Sequence, residues 1–331
     1  LKPQDKTTEK NSSAASFSQE KLRGVMLPFT TTFDDDGGVD VRALRSNVER
    51  WNKTGVAGYV ALGSTGERVH LGEREYLKVI EAGRACVPEQ MAYVVGAGQQ
   101  STQATIEEVR GVAAAGADAA LVITPHFYRA EMTHHALVNH YLAVADASPV
   151  PLLLYSVPSF TNVSLAPETI ARLSEHENII GVKDSSGDIL NLAETVSLVP
   201  ESFAVLTGNG RALYPALCVG AKGAILAIGC IAPRLSVAIY EAFQAGEHGR
   251  AREMQQQLTR LTRAISGRYG ISGLKAALDM LGYEGGRVRA PLQDAGDEAR
   301  REIADILKET GLLTVEAGDG DNRLQAGASI K

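Results

Sequence analysis

Cysteine is scarce in this chain: Cys86, Cys218 and Cys230 are the only three among 331 residues. An odd number of widely separated thiols excludes a disulfide framework and a clustered zinc site, and suggests buried cysteines in a reducing compartment. No apolar run reaches the length of a membrane span, which excludes a helical membrane protein. The net charge of −6 lacks the basic excess that a nucleic-acid surface would need. The first twenty residues contain no apolar core for a secretory signal. They also lack arginine before Arg23 and include Asp5 and Glu9, which disfavours a mitochondrial transit peptide. A cytoplasmic location is expected, with the mitochondrial matrix as the alternative in a eukaryote. No G-x-G-x-x-G follows the first strand-like run, which weakens a dinucleotide-binding reading.

What is present is a repeated alternation. The hydrophobic share of 44% supports a large core, in one big domain or two smaller ones. Short β-branched apolar runs predict strands at 23–29, 56–62, 91–95, 119–123, 151–155, 179–183, 203–206 and 223–228. Helix-like stretches separate them. Val41, Leu44, Val48 and Trp51 share one helical face. Ser101 and Thr133 read as N-caps, and Gly116 and Gly220 as helix stops. Strands with little internal alternation, each followed by a helix, predict a parallel sheet. Eight such units favour a (β/α)8 barrel over a doubly wound sheet. After residue 230 the strand signals stop, and 233–244, 248–265, 272–281 and 297–310 read as helices. They give the eighth barrel helix and a C-terminal helical extension. The expected division is barrel strands and helices over 20–232, eighth helix and extension over 233–314, and disordered tails at 1–19 and 315–331.

In such a barrel the loops after the strands form one active-site face. Three of them carry chemistry. After the second strand, Gly63-Ser64-Thr65-Gly66-Glu67 can turn backbone N–H groups toward an anion, with the Ser64 and Thr65 hydroxyls as further ligands. The bland alternative is a hydroxyl-capped glycine turn. After the fifth strand, Tyr155 heads Tyr155-Ser156-Val157-Pro158 and can act as acid, base or hydrogen-bond donor. The alternative is a core tyrosine whose hydroxyl bonds backbone. After the sixth strand, Lys183 follows an apolar run and precedes Asp184-Ser185-Ser186-Gly187-Asp188. A lysine with apolar neighbours can lose its proton and attack a carbonyl, although most lysines at strand ends snorkel into water. Lys78 and Lys275 fall in helical stretches, and Lys222 precedes its strand. An anion cradle, a phenol and a buried amine on one face suit a 2-oxo acid. The cradle takes the carboxylate, the amine forms a Schiff base with the ketone, and the phenol moves protons.

GSTGE, YSVP and GVKDSSGD, in this order and spacing, resemble the pyruvate-dependent class I aldolase family, the dihydrodipicolinate synthase and N-acetylneuraminate lyase superfamily. The resemblance covers about residues 22 to 311. It implies a (β/α)8 barrel with a C-terminal helical extension, assembled as a homotetramer or homodimer. It implies Lys183 as the Schiff-base residue and Tyr155 as the proton-transferring phenol. Ser64 and Thr65 would serve as carboxylate or proton-relay ligands. No metal or organic cofactor is expected, because the imine is itself the electron sink.

Two positions depart from the synthase pattern. Phe127, in Thr124-Pro125-His126-Phe127-Tyr128-Arg129, stands where the synthase has a relay tyrosine, which leaves Tyr128 or His126 as substitutes. Phe160 stands where the synthase has an arginine that grips the second substrate's carboxylate. Other stretches look closest to 4-hydroxy-2-oxoglutarate aldolase. They are Ser101-Thr102-Gln103-Ala104-Thr105, Gly116-Ala117-Asp118-Ala119-Ala120, Tyr155-Ser156-Val157-Pro158 and Arg289-Ala290-Pro291-Leu292-Gln293. The expected activity is cleavage of a 4-hydroxy-2-oxo acid, best 4-hydroxy-2-oxoglutarate, to pyruvate and an aldehyde such as glyoxylate. Backbone N–H groups near Ser64, Thr65 and Gly66 would hold the C1 carboxylate. Asn162, Ser185, Ser186 or Asn209 would compensate for Phe160 by hydrogen bonding. The alternatives are 4-hydroxy-tetrahydrodipicolinate synthase and a 2-keto-3-deoxy-sugar-acid aldolase or dehydratase. A non-catalytic paralogue that binds 2-oxo acids is the alternative from another class.

Overall fold

The computed structural model describes residues 19–313. The terminal segments expected at 1–19 and 315–331 lie, apart from Gln19, outside the described residues. The strands are β1 (Gly24–Leu27), β2 (Gly58–Ala61), β3 (Ala92–Ala97), β4 (Ala119–Ile123), β5 (Leu152–Ser156), β6 (Ile179–Asp184), β7 (Ala204–Thr207) and β8 (Gly223–Ile225). Each pairs in parallel with the next, and β8 closes on β1, so the sheet is a closed barrel. The eight predicted runs therefore all form strands in the predicted order. The eighth is shorter than predicted, because residues 227–230 turn into a 3-10 helix (Ala227–Cys230).

Both faces of the barrel wall are buried, which is why the strands read as continuous apolar runs. Met26, Val60, Val94, Leu121, Leu153, Leu206 and Ile225 fill the inside, with Tyr155 in the same cluster. Val25, Leu27, Tyr59, Val95, Val122 and Val182 belong to the outer cluster that packs on the helices.

The helices between strands are α1 (Val41–Trp51), α2 (Glu73–Cys86), α3 (Thr102–Ala114), α4 (His134–Ala147), the single turn α5 (Pro158–Thr161), α6 (Pro167–Leu173), α7 (Ile189–Leu198) and α8 (Leu213–Cys218). Leu44, Val48 and Trp51 of α1 are fully buried, and the Trp51 indole donates to the Cys230 carbonyl at 2.9 Å. Ser101 and Thr133 cap α3 and α4 by accepting from the Ala104 and Ala136 amides. Gly116 and Gly220 take positive φ, 95° and 102°, where a side chain would be strained. None of these helices, nor any other among the described residues, is long and apolar enough to cross a membrane.

Beyond β8 come α9 (Pro233–Gln244), α10 (His248–Ala264), α11 (Ser266–Met280) and α12 (Asp297–Glu309). The one notable departure from the predicted helices is α11, which starts at Ser266 and not at 272. Gly270 interrupts it with φ 59° and ψ −140°, a conformation open to glycine. The segment Ser266-Gly267-Arg268-Tyr269-Gly270 carries two glycines and a single aromatic, so it shows no apolar helical stripe.

Candidate active site

Parallel register sets the centre of the site. Tyr155 and Lys183 are direct partners across β5 and β6, and Ser156 and Asp184 are the next pair. The two side chains therefore leave neighbouring strands at the same height. Both are buried, Tyr155 at 5% and Lys183 at 4% exposure, so Lys183 does not snorkel away from the barrel. Its Nζ lies 4.3 Å from the centre of the Tyr155 ring. The Tyr155 hydroxyl is 3.3 Å from Ser64 Oγ, which reaches over from the loop after β2.

The phenol is electrostatically prepared. Burial alone would raise its pKa. The positive charge of Lys183 opposes this, and hydrogen bonds with Ser64, Ser185 and Lys183 add to the opposition. The net result is a pKa below the ordinary tyrosine value. Tyr155 is thus not the core tyrosine with a backbone partner that the bland reading offered. Tyr141 plays that part instead: its hydroxyl donates to the Val122 carbonyl, and burial drives its pKa upward.

Gly208, just after β7, makes room for the amine. A Cβ there would stand 1.9 Å from Ser185 Oγ and 3.0 Å from Lys183 Cε. Its N–H donates to the Asp184 carbonyl at 2.6 Å, which fixes the β6 and β7 ends together.

A cavity of about 500 Å³ opens above these groups. Ser64, Thr65, Tyr155, Lys183, Ser185 and Asn209 all line it, so the structure brings these six predicted residues together. Gly66 does not line it. Its amide already donates to the Gly63 carbonyl at 3.0 Å, and its carbonyl accepts from Thr31 Oγ1 at 2.7 Å. Of the three residues expected to cradle a carboxylate, Ser64 and Thr65 line the cavity, while the loop's 3-10 turn (Ser64–Gly66) takes up the Gly66 N–H. Asn162 and Ser186 do not line the cavity either; Ser186 N–H serves Asp184 Oδ1 at 2.7 Å. Phe160 lines the cavity, whereas Phe127 and Tyr128 do not and are 74% and 70% exposed. His126 lines a neighbouring cavity of about 330 Å³ on the far side of Ser64 and Tyr155.

Two contributors escaped sequence reasoning. The first is a buried ion pair under the Ser64 loop. Glu67 adopts a left-handed backbone at φ 53° and buries its carboxylate against Lys275 of α11, with Nζ to Oε1 at 2.6 Å. Burial lowers the Lys275 pKa from the usual lysine range, and Glu67 pulls it back up. Glu67 Oε2 also accepts from the Arg289 amide at 3.0 Å and lies 3.2 Å from His70 Nδ1. The extension thereby holds the Ser64 loop in place, and Lys275 is occupied. The second is the cavity wall itself, where Thr262, Arg263, Ser266 and Ile271 come from α10 and α11. The periodicity that marks a helix does not say that its end covers the mouth of the barrel.

Comparison with known proteins places the chain. Residues 21–310 match the model of the dihydrodipicolinate synthetase family. A 4-hydroxy-tetrahydrodipicolinate synthase from Methanothrix thermoacetophila is 38% identical over 294 residues, covering 88% of this chain and 98% of that one. The solved structure of a monomeric dihydrodipicolinate synthase variant superposes with a TM-score of 0.85 at 29% identity, covering 89% of this chain and 98% of that chain. YagE, a prophage protein of the same family from E. coli K12 solved with pyruvate, gives a TM-score of 0.83 at 27% identity, over 88% and 99%. The names of these relatives favour the synthase alternative over the 4-hydroxy-2-oxoglutarate aldolase that the sequence stretches suggested.

Two outcomes follow from this geometry. Removing Ser64 Oγ takes away a hydrogen bond that favours the phenolate, so Ser64→Ala should move the Tyr155 ionisation to higher pH. Ultraviolet difference titration against Tyr155→Phe reads this, and an unmoved or lowered midpoint contradicts it. Lys275→Met leaves the Glu67 carboxylate buried without its cation and should cost about 3–5 kcal/mol in urea unfolding. Glu67→Gln with Lys275→Met should cost clearly less than the sum of the two single changes. The chain, an enzyme of the Schiff-base lyase class, belongs to the dihydrodipicolinate synthetase family.

Proposed function

We propose that this enzyme makes or breaks a carbon–carbon bond next to pyruvate through an imine on Lys183. The observation that carries the reading is the cross-strand pairing of a buried lysine with a buried, acidified tyrosine at the mouth of the barrel.

The steps follow from the residues present. Ser64 and Thr65 take the C1 carboxylate of a 2-oxo acid. Lys183 Nζ adds to C2 and water departs, leaving an iminium. In the cleavage direction Tyr155 phenolate, with Thr65 or a water, accepts the C4 hydroxyl proton as the C3–C4 bond breaks. The iminium takes up the electron pair as an enamine. Protonation at C3 and hydrolysis return pyruvate and the free amine. Ser185 and Asn209 border the aldehyde side. In the synthetic direction the same enamine attacks an aldehyde, and Tyr155 gives the proton back.

Two partners are supported by different observations. Phe127 and Phe160 replace the hydroxyl and the guanidinium of the synthase pattern, which counts against the synthase, and stretches such as Ser101-Thr102-Gln103-Ala104-Thr105 and Arg289-Ala290-Pro291-Leu292-Gln293 support an aldolase acting on 4-hydroxy-2-oxoglutarate. The names of the relatives support 4-hydroxy-tetrahydrodipicolinate synthase. Both use the same Lys183 chemistry. Assembly as a homotetramer or homodimer belongs to the proposal; exposed Val69, Phe127, Tyr128 and Leu190 supply apolar contact area for it.

Pyruvate release from 4-hydroxy-2-oxoglutarate, coupled to lactate dehydrogenase, tests the reading beside a synthase assay with pyruvate and an amino aldehyde acid. Turnover in one of the two is expected. Lys183→Ala should abolish it. Tyr155→Phe should lower kcat by roughly 10²–10⁴-fold, the usual span for a lost proton-transfer group. Full turnover by Lys183→Ala would end the proposal.

A further inference from the structure

The chain carries a net charge of −6, yet no aspartate or glutamate lines the cavity above Lys183. Its charged lining residues are Lys183, Arg211 and Arg263. Arg211 sits in the 3-10 turn after β7 (Gly210–Ala212), and Arg263 in the last turn of α10. Both are exposed, and neither guanidinium has an ion pair or hydrogen bond among the described residues. Two guanidiniums that share a cavity without a counter-charge repel each other, and an anion between them relieves that repulsion. Phe160 lines the same cavity and cannot donate a hydrogen bond.

We propose that Arg211 and Arg263 hold a second anionic group, at the end of the substrate far from the C2 carbon on Lys183. The enzyme would then take 2-oxo acids that carry a distal negative charge. The inference rests on the Lys183 reading and deepens it by naming the substrate class. The grip that the synthase pattern takes from an arginine beside the β5 loop would here come from the β7 loop and the helical extension. A guanidinium fork matches carboxylate and phosphate alike, so the two sources share one chemistry.

The test needs no knowledge of the aldehyde partner, because any 2-oxo acid that reaches Lys183 can be trapped there by borohydride. The wild-type protein is titrated with 2-oxoglutarate, with 2-oxopentanoate, which has the same chain length and no distal charge, and with the phosphonate analogue of 2-oxoglutarate. The adduct is counted by intact mass. We expect half-saturation by a charged ligand at a concentration about tenfold or more below that for 2-oxopentanoate, as hydrogen bonds to charged groups typically provide. The better of the two charged ligands identifies carboxylate or phosphate. In Arg211→Ala with Arg263→Ala the preference should fall to about one, with pyruvate trapping reporting that the site is folded. In the wild type, raising the salt concentration should narrow the preference, because exposed guanidiniums are screened. A preference that is absent in the wild type, or that survives both the double substitution and high salt, overturns the inference. Failure to trap even pyruvate in the wild type overturns the Lys183 reading instead.

Discussion

The site depends on one constraint, the register between β5 and β6. Because parallel strands carry equivalent positions at one level, Tyr155 and Lys183 emerge side by side. A slip of one residue would turn one of them from the barrel interior to the helix layer. The pairing then does two things. The ammonium lowers the phenol's pKa, and the phenol ring lies within 4.3 Å of the ammonium, where its face can interact with the cation. Gly208 completes the arrangement, since any side chain at that position would occupy the space that Lys183 and Ser185 use.

A second layer of interaction joins the barrel to the extension. Glu67 ends the loop that delivers Ser64 and Thr65, and its carboxylate is anchored by Lys275 and the Arg289 amide. Arg289 in turn pairs with Glu75 at the start of α2 and donates to the His70 carbonyl. The loop that presents Ser64 and Thr65 is therefore held from below by α11 and the segment after it. The extension also closes one side of the cavity with Arg263 and Ser266. It lines the site although it lies beyond the barrel in chain order.

The barrel was legible in the sequence because burial of both wall faces leaves unbroken apolar runs, and because short strands and caps such as Ser101 and Thr133 carry local signals. Lys183, Tyr155 and Ser64 stood out because they lie at or just past the ends of such runs, which the barrel gathers around one cavity. The fate of the Gly66 amide was not, since a glycine-rich loop can point its N–H groups outward or spend them on its own turn. Lys275 was read as an ordinary helical lysine; its burial depends on Glu67, more than 200 residues away in the chain. Arg211 and Arg263 gave no signal at all, because only the tertiary fold brings the β7 loop and the end of α10 to one cavity.

The most direct test of the account is where the covalent bond forms. The protein is incubated with pyruvate, reduced with borohydride, digested and mapped by mass spectrometry. The account expects one pyruvate-derived adduct, on the peptide that contains Lys183. An adduct on Lys275 or another lysine, or none at all in a protein that turns over, would contradict it.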